Sequence, residues 1–473
     1  MNTASVRSTF RYKIGGSSRL LPPLMAPVEL PPAVLPALQV RSAVGTPETG
    51  EVSSGLPLAP GRLRTGDVAG LAVFVGDTEV PSYIEPLKGR HVDGSLRSIL
   101  VQFTVADAGA PVTLRRVTTA PRRRPRVAPS PVPARFVMYA DLIEEAQTNV
   151  VGPISLSSRE TFAGGRALDT KFAEFEPTHW SAQGDDWTAN FYDRALAYFA
   201  YALRQGSPTF LQRGSRLAVA YRRGYLEANN YGTSEWWAQL DGLASHYWLT
   251  GDDSSRIAVI RAAESLNVSR GGTARLTNTQ SHEWMDGRVT ARVLSSKFLA
   301  ISLDADPYGS VSDWRAAASQ DVRDVLSIQG ADGTWRYAAN CGQSSNFMSG
   351  LVAQALIQYG EVTGDVARIR EPVRRFASWL WTTQWQPGEQ SFNYYSGRCV
   401  SSQGQVIGDT YAGTDLNGFF LEMYGWLWKQ TNDPVHVQRG DAVMQGMLAR
   451  TWFAGSKQFN QAFRTSWRYL ALR

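Results

Sequence analysis

The stretch "YWLTGDDSSR" (residues 247–256) recurs in outline as "YGEVTGDVARIR" (359–370) and nearly so as "WLWKQTNDPVHVQR" (426–439). Each sets Thr-Gly-Asp or Thr-Asn-Asp between two amphipathic segments. Gly or Asn ends a helix because it accepts the left-handed backbone, and Asp opens the next by capping its free N–H groups. The strings therefore read as tight turns of helical hairpins. Two looser versions, "YALRQGSPTFLQR" (201–213) and "ISLDADPYGSVSDW" (301–314), bring the number to five.

One helical hairpin exposes an apolar face that only a neighbour can bury. Five of them, with a sixth partly built from 140–175 or 455–473, predict a mainly α fold, an (α/α)5–6 toroid. An open solenoid is the alternative; the long helices and the lack of polar terminal caps favour a closed ring. The turns within hairpins are short and belong on one rim. The connections between hairpins are long and belong on the other: "EPTHWSAQGDDWTAN", "ANNYGTSEWW", "NVSRGGTARLTNTQSHEWMDG", "QGADGTWRYAANCGQSSN" and the segment from "QPGEQ" to "GTDLN". Long loops on a rigid scaffold are where function concentrates.

Ahead of the ring the pattern differs. Residues 1–50 form a Pro-rich arm. Residues 51–120, with "GLAVFV", "SILVQFTV" and "PVTLRRV", read as a small antiparallel β-sandwich domain. Residues 121–150 are a Pro/Arg-rich connector, and 151–473 form the toroid. The 473-residue chain carries a formal charge of +6, but 17 Lys/Arg against 9 Asp/Glu fall in residues 1–135, leaving 31 against 33 in the rest. No basic helix or nucleic-acid motif accompanies the excess, so no nucleic-acid partner is expected. No apolar run spans a membrane, and the N-terminus lacks a signal-peptide h-region. The expected location is extracellular or virion-associated, reached by another route, with the arm as the link to a virion or other assembly.

The two cysteines, Cys341 and Cys399, show no CxxC or Cys/His cluster, so no metal is expected; a disulfide and free thiols both remain open. P-loop, G-x-S-x-G, EF-hand and H-E-x-x-H motifs are absent, and no cofactor is expected. Fifteen Trp and eighteen Tyr suit a ligand-lining surface, though each also serves packing.

The candidate chemistry lies in the long connections. His282, Glu283 and Asp286 cluster at a helix mouth, where imidazole and carboxylates suit acid–base work, although helix capping accounts for them equally well. Tyr231 and Tyr192 are candidate proton-transferring phenols. His179, Trp180, Trp236, Trp237, Arg288, Arg336, Tyr337 and Tyr394 are candidate substrate contacts. His246 reads as a core histidine, and Asp241 as an inner-helix carboxylate or a buried ion pair. Gln329, Gly333 and Trp335 match one QW signature of terpene-cyclase toroids, a structural feature, while the acidic DxDD run of those cyclases is missing.

"GRHVDGSLRSILVQFTV" (89–105), after "GLPLAPGRLR", resembles the front β domain of exo-acting rhamnogalacturonan lyase-like proteins, in which a "W-x-DGS-x-RW" element precedes an α/α toroid. His91 and Ser98 stand here where that pattern has Trp. The resemblance implies a carbohydrate-active enzyme, a polysaccharide lyase or glycoside hydrolase, and the Pro-rich arm is similar to that of phage depolymerase components. The expectation is cleavage of an extracellular polysaccharide by β-elimination at a uronate. Tyr231, His282 and Tyr192 would act as base and acid, with Arg288 or Arg336 neutralising the carboxylate. A hydrolase would instead pair Glu283 with Asp186 or Asp241. A non-catalytic glycan-binding or virion component is the third reading.

Overall fold

The three Thr-Gly/Asn-Asp strings form near-identical turns, and the threonine explains why they repeat. Thr250 Oγ1 donates to the His246 carbonyl at 2.7 Å and accepts from the Asp252 N–H at 3.2 Å. Thr363 does the same between Tyr359 and Asp365, and Thr431 between Leu427 and Asp433. One hydroxyl thus closes the last turn of a helix and steers the chain into the next. Gly251, Gly364 and Asn432 take the left-handed backbone, with φ of 78, 80 and 55°.

These turns belong to a computed structural model that describes residues 37–43, 49–106, 109–138, 150–270, 277–278, 283–284, 287–337, 342–400, 404–408 and 411–473. Outer and inner helices alternate from α1 to α12. They are α1 (Ala163–Gln183), α2 (Arg194–Gln205), α3 (Pro208–Tyr221), α4 (Asp241–Thr250), α5 (Asp253–Arg270), α6 (Gly287–Ser302) and α7 (Trp314–Ser327). After these come α8 (Asn346–Thr363), α9 (Val366–Trp379), α10 (Gly418–Thr431), α11 (Pro434–Arg450), α12 (Ser456–Phe463) and α13 (Ser466–Leu472). The even-numbered helices and α13 line the inside. Every residue of α4 is buried, because helices flank it on both sides. The outer α9 buries only the stripe Ile369, Val373, Phe376 and Ala377, at the spacing of one helix face. The fold is mainly α, a toroid of helical hairpins preceded by a small antiparallel β-sandwich.

The ring closes through its two ends. The sixth pair has no turn, since α1 supplies its outer wall and α12–α13 its inner wall. Phe172 of α1 packs its ring against Phe459, Phe463 and Trp467, with centroids 5.1–5.4 Å apart. Asp169 of α1 accepts from Trp467 Nε1 at 2.9 Å and from Arg204 of α2 at 2.8 Å. Arg194 of α2 donates to Asn460 and Ser456 of α12. These contacts rule out the open solenoid.

The sandwich is built from β1 (Ala37–Ser42), β2 (Gly50–Pro57), β3 (Leu71–Val75), β4 (Thr78–Val80), β5 (Ser82–Pro86), β6 (Ser98–Val105), β7 (Val112–Arg116) and β8 (Arg135–Met138). One sheet runs β4-β3-β7-β1-β8 and the other β2-β6-β5, all antiparallel. The strands therefore extend past 51–120 on both sides, with β1 drawn from the arm and β8 from the connector. Val52, Leu56, Leu71, Val73, Ile99, Val101 and Phe103 fill the space between the sheets.

The sandwich covers the short-turn rim. On β6, Ile99, Val101 and Phe103 face the sandwich core, while Ser98 and Leu100 face the ring. Ser98 Oγ donates to the Trp248 carbonyl at 2.7 Å, and Leu100 belongs to the core of the ring. Gly55 of β2 lies so close to α4 that a methyl group there would run into the Trp248 carbonyl. Gly251 abuts Leu100 and Gly364 abuts Val92, so both turns face the same domain and share one rim. The "HVDGSLR" element is the hook. Asp93 accepts from the Ser95 N–H and hydroxyl, Gly89 N–H donates to Asp304 at 3.0 Å, and Trp248 Nε1 donates to the Lys88 carbonyl. His91 is buried, with Nε2 2.9 Å from the Leu58 carbonyl. The residues that carry the family resemblance are thus docking residues.

Candidate functional site

With the short-turn rim covered, the N-termini of the inner helices open on the other rim, where the long connections lie. Two carboxylates meet there. Asp193 caps α2, accepting from Leu196 N–H at 3.4 Å and, across to the next inner helix, from Gly242 N–H at 2.9 Å. Burial, then the neighbouring Asp241, pushes its pKa up to about 6. Asp241 opens α4 and pairs with Arg464 at 2.8 Å. Burial alone would raise it too, but Arg464, Arg468 and Arg292 hold it below the usual carboxylate range. Adjacent carboxyl groups thus favour opposite protonation states, as low local dielectric and unequal cation neighbours require.

The charges continue down the ring axis. Arg292 of α6 is held down to about 10, by burial first and by Arg464 second. Arg468 pairs with Glu422 of α10 at 2.9 Å. Burial and Glu422 push Glu361 of α8 up to about 7. Arg97 reaches in from the sandwich, its guanidinium 5.5 Å from the Trp248 ring centroid. Two small cavities, about 40 and 20 Å³, both touch Asp241, Gln358 and Arg468, each with room for water.

Beside the carboxylates stands an aromatic wall. Tyr192 and Asp193 both have φ of 63°, a left-handed pair that costs on the order of 1–3 kcal/mol per residue. Tyr192 packs on Phe191 and Phe419 with centroids 4.8 and 5.5 Å away. Tyr394 lies among Phe347, Tyr395 and Tyr411; burial first, then Tyr395, Tyr411 and Tyr192, raises its phenol, and Arg288 opposes the rise. Trp237 packs on Phe191 and Trp187 at 4.9 Å. Arg288 places its guanidinium carbon 3.4 Å from the Trp236 ring centroid. A groove of about 490 Å³ is lined by Thr188, Phe191, Trp236, Trp237, Ser456 and Lys457.

The structure thus brings Tyr192, Trp236, Trp237, Arg288 and Tyr394 to the mouth, and separates others from it. His179 and Trp180 are not in a connection, because α1 runs on to Gln183. His179 Nε2 meets the Phe453 carbonyl at 2.8 Å and its ring packs on Phe459, a clasp between chain ends. Trp180 takes the Arg213 and Arg216 cations on its ring. Tyr231, with φ of 62°, sits under Arg261 of the outer α5 at 3.9 Å, which corrects its reading as a phenol of the cleft. Arg336 is exposed and pairs with Asp332 at 3.0 Å. Asp186 caps Thr188, and His246 is a core histidine held by Ser255 and the Pro131 carbonyl. Gln329 donates to the Gly333 and Pro372 carbonyls, the structural tie expected of it.

His282 and Asp286 lie outside the described residues, and Glu283 and Tyr337 are described by backbone alone. Glu283 pairs with Asn278 and Arg336, and Trp284 with Thr277 and Tyr337, so two long connections join in one small sheet. Cys399 is disulfide-bonded, and the other cysteine, Cys341, lies outside the described residues. Asp193, Arg292 and Arg464 escaped the sequence reading. The available signal was Asp193 immediately before an apolar helix, overshadowed by Asp185 and Asp186. No group of three metal-ligating side chains occurs among the described residues, and none of their helices is long and apolar enough to cross a membrane.

No protein-family model and no curated protein matches the chain. The resemblance to rhamnogalacturonan lyase-like proteins therefore rests on the front β domain, on residues 89–105 after "GLPLAPGRLR", and on the toroid layout. Among solved structures, an inactive variant of an α-1,6-mannanase of Salegentibacter sp., in complex with α-1,6-mannotriose, is similar at 14% identity. The likeness covers 46% of this chain and 61% of that one, with a TM-score of 0.35.

Proposed function

We propose that the protein binds a glycan on the long-connection rim and hydrolyses it with Asp193 and Asp241. One observation carries this reading: two neighbouring buried carboxyl groups, at the N-terminal ends of α2 and α4, are biased toward opposite protonation states. Environments that push paired pKa values apart divide the labour between acid and base. Asp193, its proton retained up to about pH 6, acts as the general acid toward the glycosidic oxygen. Asp241, ionised by its three arginines, acts on water or on the anomeric carbon. Asp193 is fully buried, so this reading requires the strained Tyr192-Asp193 segment to move when substrate enters.

Elimination is the second reading, favoured by Tyr394 beside Arg288 and Tyr192 beside Arg292, phenols and cations suited to a uronate. The two separate in one experiment. The protein is incubated with neutral and acidic polysaccharides, and reducing ends and ultraviolet absorbance are followed together. Hydrolysis gives new reducing ends alone, and elimination adds absorbance near roughly 232 nm, as an unsaturated product requires. Release of neither product from any polysaccharide rejects the enzymatic reading.

A further inference from the structure

The groove beside the carboxylates has a charge pattern that the cleavage chemistry does not need. We propose that it is a binding subsite for an acidic sugar residue, one bearing a carboxylate or a sulfate, within an extended glycan. The proposal rests on the reading that this rim binds glycan, and it adds the substrate class.

The platform comes first. Trp236 is 46% exposed although Arg288 sits 3.4 Å from its ring centroid. A cation occupies one face of an indole, so the exposure belongs to the opposite face and the edges. Arg288 is buried and stiffens the platform from behind, as cation–π contact does. A free indole face fits the C–H face of a pyranose.

The charge comes second. The groove lining holds Lys457 and no acid. Asp186, two residues before the lining Thr188, is outside the lining and turns its carboxylate to the Thr188 N–H and hydroxyl, both at 2.8 Å, and Glu235 is buried. Lys457 has no ion-pair partner among the described residues. Directly behind Ser456 lies Arg194, wholly buried. Its Nε donates to Asn460 Oδ1 at 2.8 Å and its Nη2 to Ser456 Oγ at 2.6 Å. Its Nη1 has no hydrogen-bond partner, and no carboxylate among the described residues lies within ion-pair distance of the guanidinium. Glu176, the buried acid whose field reaches it, is already bound to Arg213, so the Arg194 charge is only partly offset, which is costly. Here that cation stands behind Ser456, whose hydroxyl accepts from it and donates to Gln183 at 2.7 Å, so an anion in the groove offsets it through space.

Continuity comes third. Trp452 is 63% exposed, and its carbonyl accepts from Gly455 N–H at 2.9 Å, immediately before Ser456 and Lys457. A second indole therefore flanks the lysine. A chain of sugars lying on Trp236 passes Lys457 toward Trp452.

Binding of three hexasaccharides tests the proposal by calorimetry and tryptophan quenching: galacturonate, chondroitin sulfate and uncharged mannose. At least one acidic probe is expected to bind about tenfold or more tighter than the neutral one, the worth of a charge-assisted contact. The advantage shrinks between about 50 and about 300 mM salt, as charges become screened. Lys457→Ala removes most of the preference with the melting temperature unchanged, and Trp236→Ala weakens all bound probes. Neutral binding as tight as acidic, or a preference that survives Lys457→Ala, overturns the acidic subsite and leaves a glycan-binding rim. Failure of every probe to bind rejects both.

Discussion

Arg204 is the tightest test of ring closure. Its side chain is fully buried, and all its donor nitrogens are occupied. Nε and Nη2 grip Asp169 at 2.8 and 3.0 Å, Nη2 also meets Glu160 at 2.9 Å, and Nη1 serves the Ser155 carbonyl and hydroxyl. Arg204→Met fills much of the volume but strands two carboxylates whose side chains are 11% and 8% exposed. Removing one partner of a buried pair costs about 3–5 kcal/mol, and two stranded acids place the change at the upper end. Asp169 also holds Trp467, so the loss propagates to the closure between α1 and α13. Adding Asp169→Leu removes one stranded charge and should recover part of the loss, less about 1–3 kcal/mol for the orphaned indole N–H. Urea denaturation of both variants measures this. A loss below about 1 kcal/mol for Arg204→Met, the range of a surface pair, would refute the closure account.

Three further outcomes follow from the same structure. Asp193 has a folded pKa near 6 against an ordinary 3.8, so its contribution to stability is full below the lower value and declines as pH rises to the upper; in Asp193→Asn the denaturation midpoint should lose that decline, and an unchanged slope counts against it. Gly55→Val drives a side chain into the α4 backbone and should cost about 3 kcal/mol or more by calorimetry, beyond ordinary overpacking; a neutral result means the sandwich does not dock there. Reducing the Cys399 disulfide should destabilise the protein by about 2–4 kcal/mol, the usual worth of such a bond, read as a lower melting temperature in dithiothreitol.

The sequence made the ring legible because each hairpin turn is a local event. Gly251, Gly364 and Asn432 must adopt the left-handed backbone whatever surrounds them, and Thr250, Thr363 and Thr431 make bonds within six residues of chain. The helix α1 was illegible for the opposite reason. It contains Pro177, which removes an internal bond, and its support is tertiary: Glu176 binds Arg213 at 2.5 Å and His179 meets the Phe453 carbonyl. Candidate residues split along the same line. Trp236 and Tyr394 stand on long connections that the turn pattern placed on the correct rim. His179 and Trp180 belong to the helix that the pattern missed. The carboxylate pair was hidden because Asp193 and Asp241 meet only across two helices, and Arg464, which separates their protonation states, lies more than 200 residues further along.

Asp241 carries the central claim, and Asp241→Asn tests it most directly. The substitution keeps an oxygen for Arg464 but removes the charge, so the fold, checked by circular dichroism, should persist. On a polysaccharide that the wild-type protein cleaves, the account predicts that Asp241→Asn loses about a hundredfold or more in turnover while oligosaccharide binding, followed by tryptophan fluorescence, stays within about threefold. Turnover at the wild-type rate in a folded Asp241→Asn protein contradicts the account and leaves Asp241 as a structural ion pair.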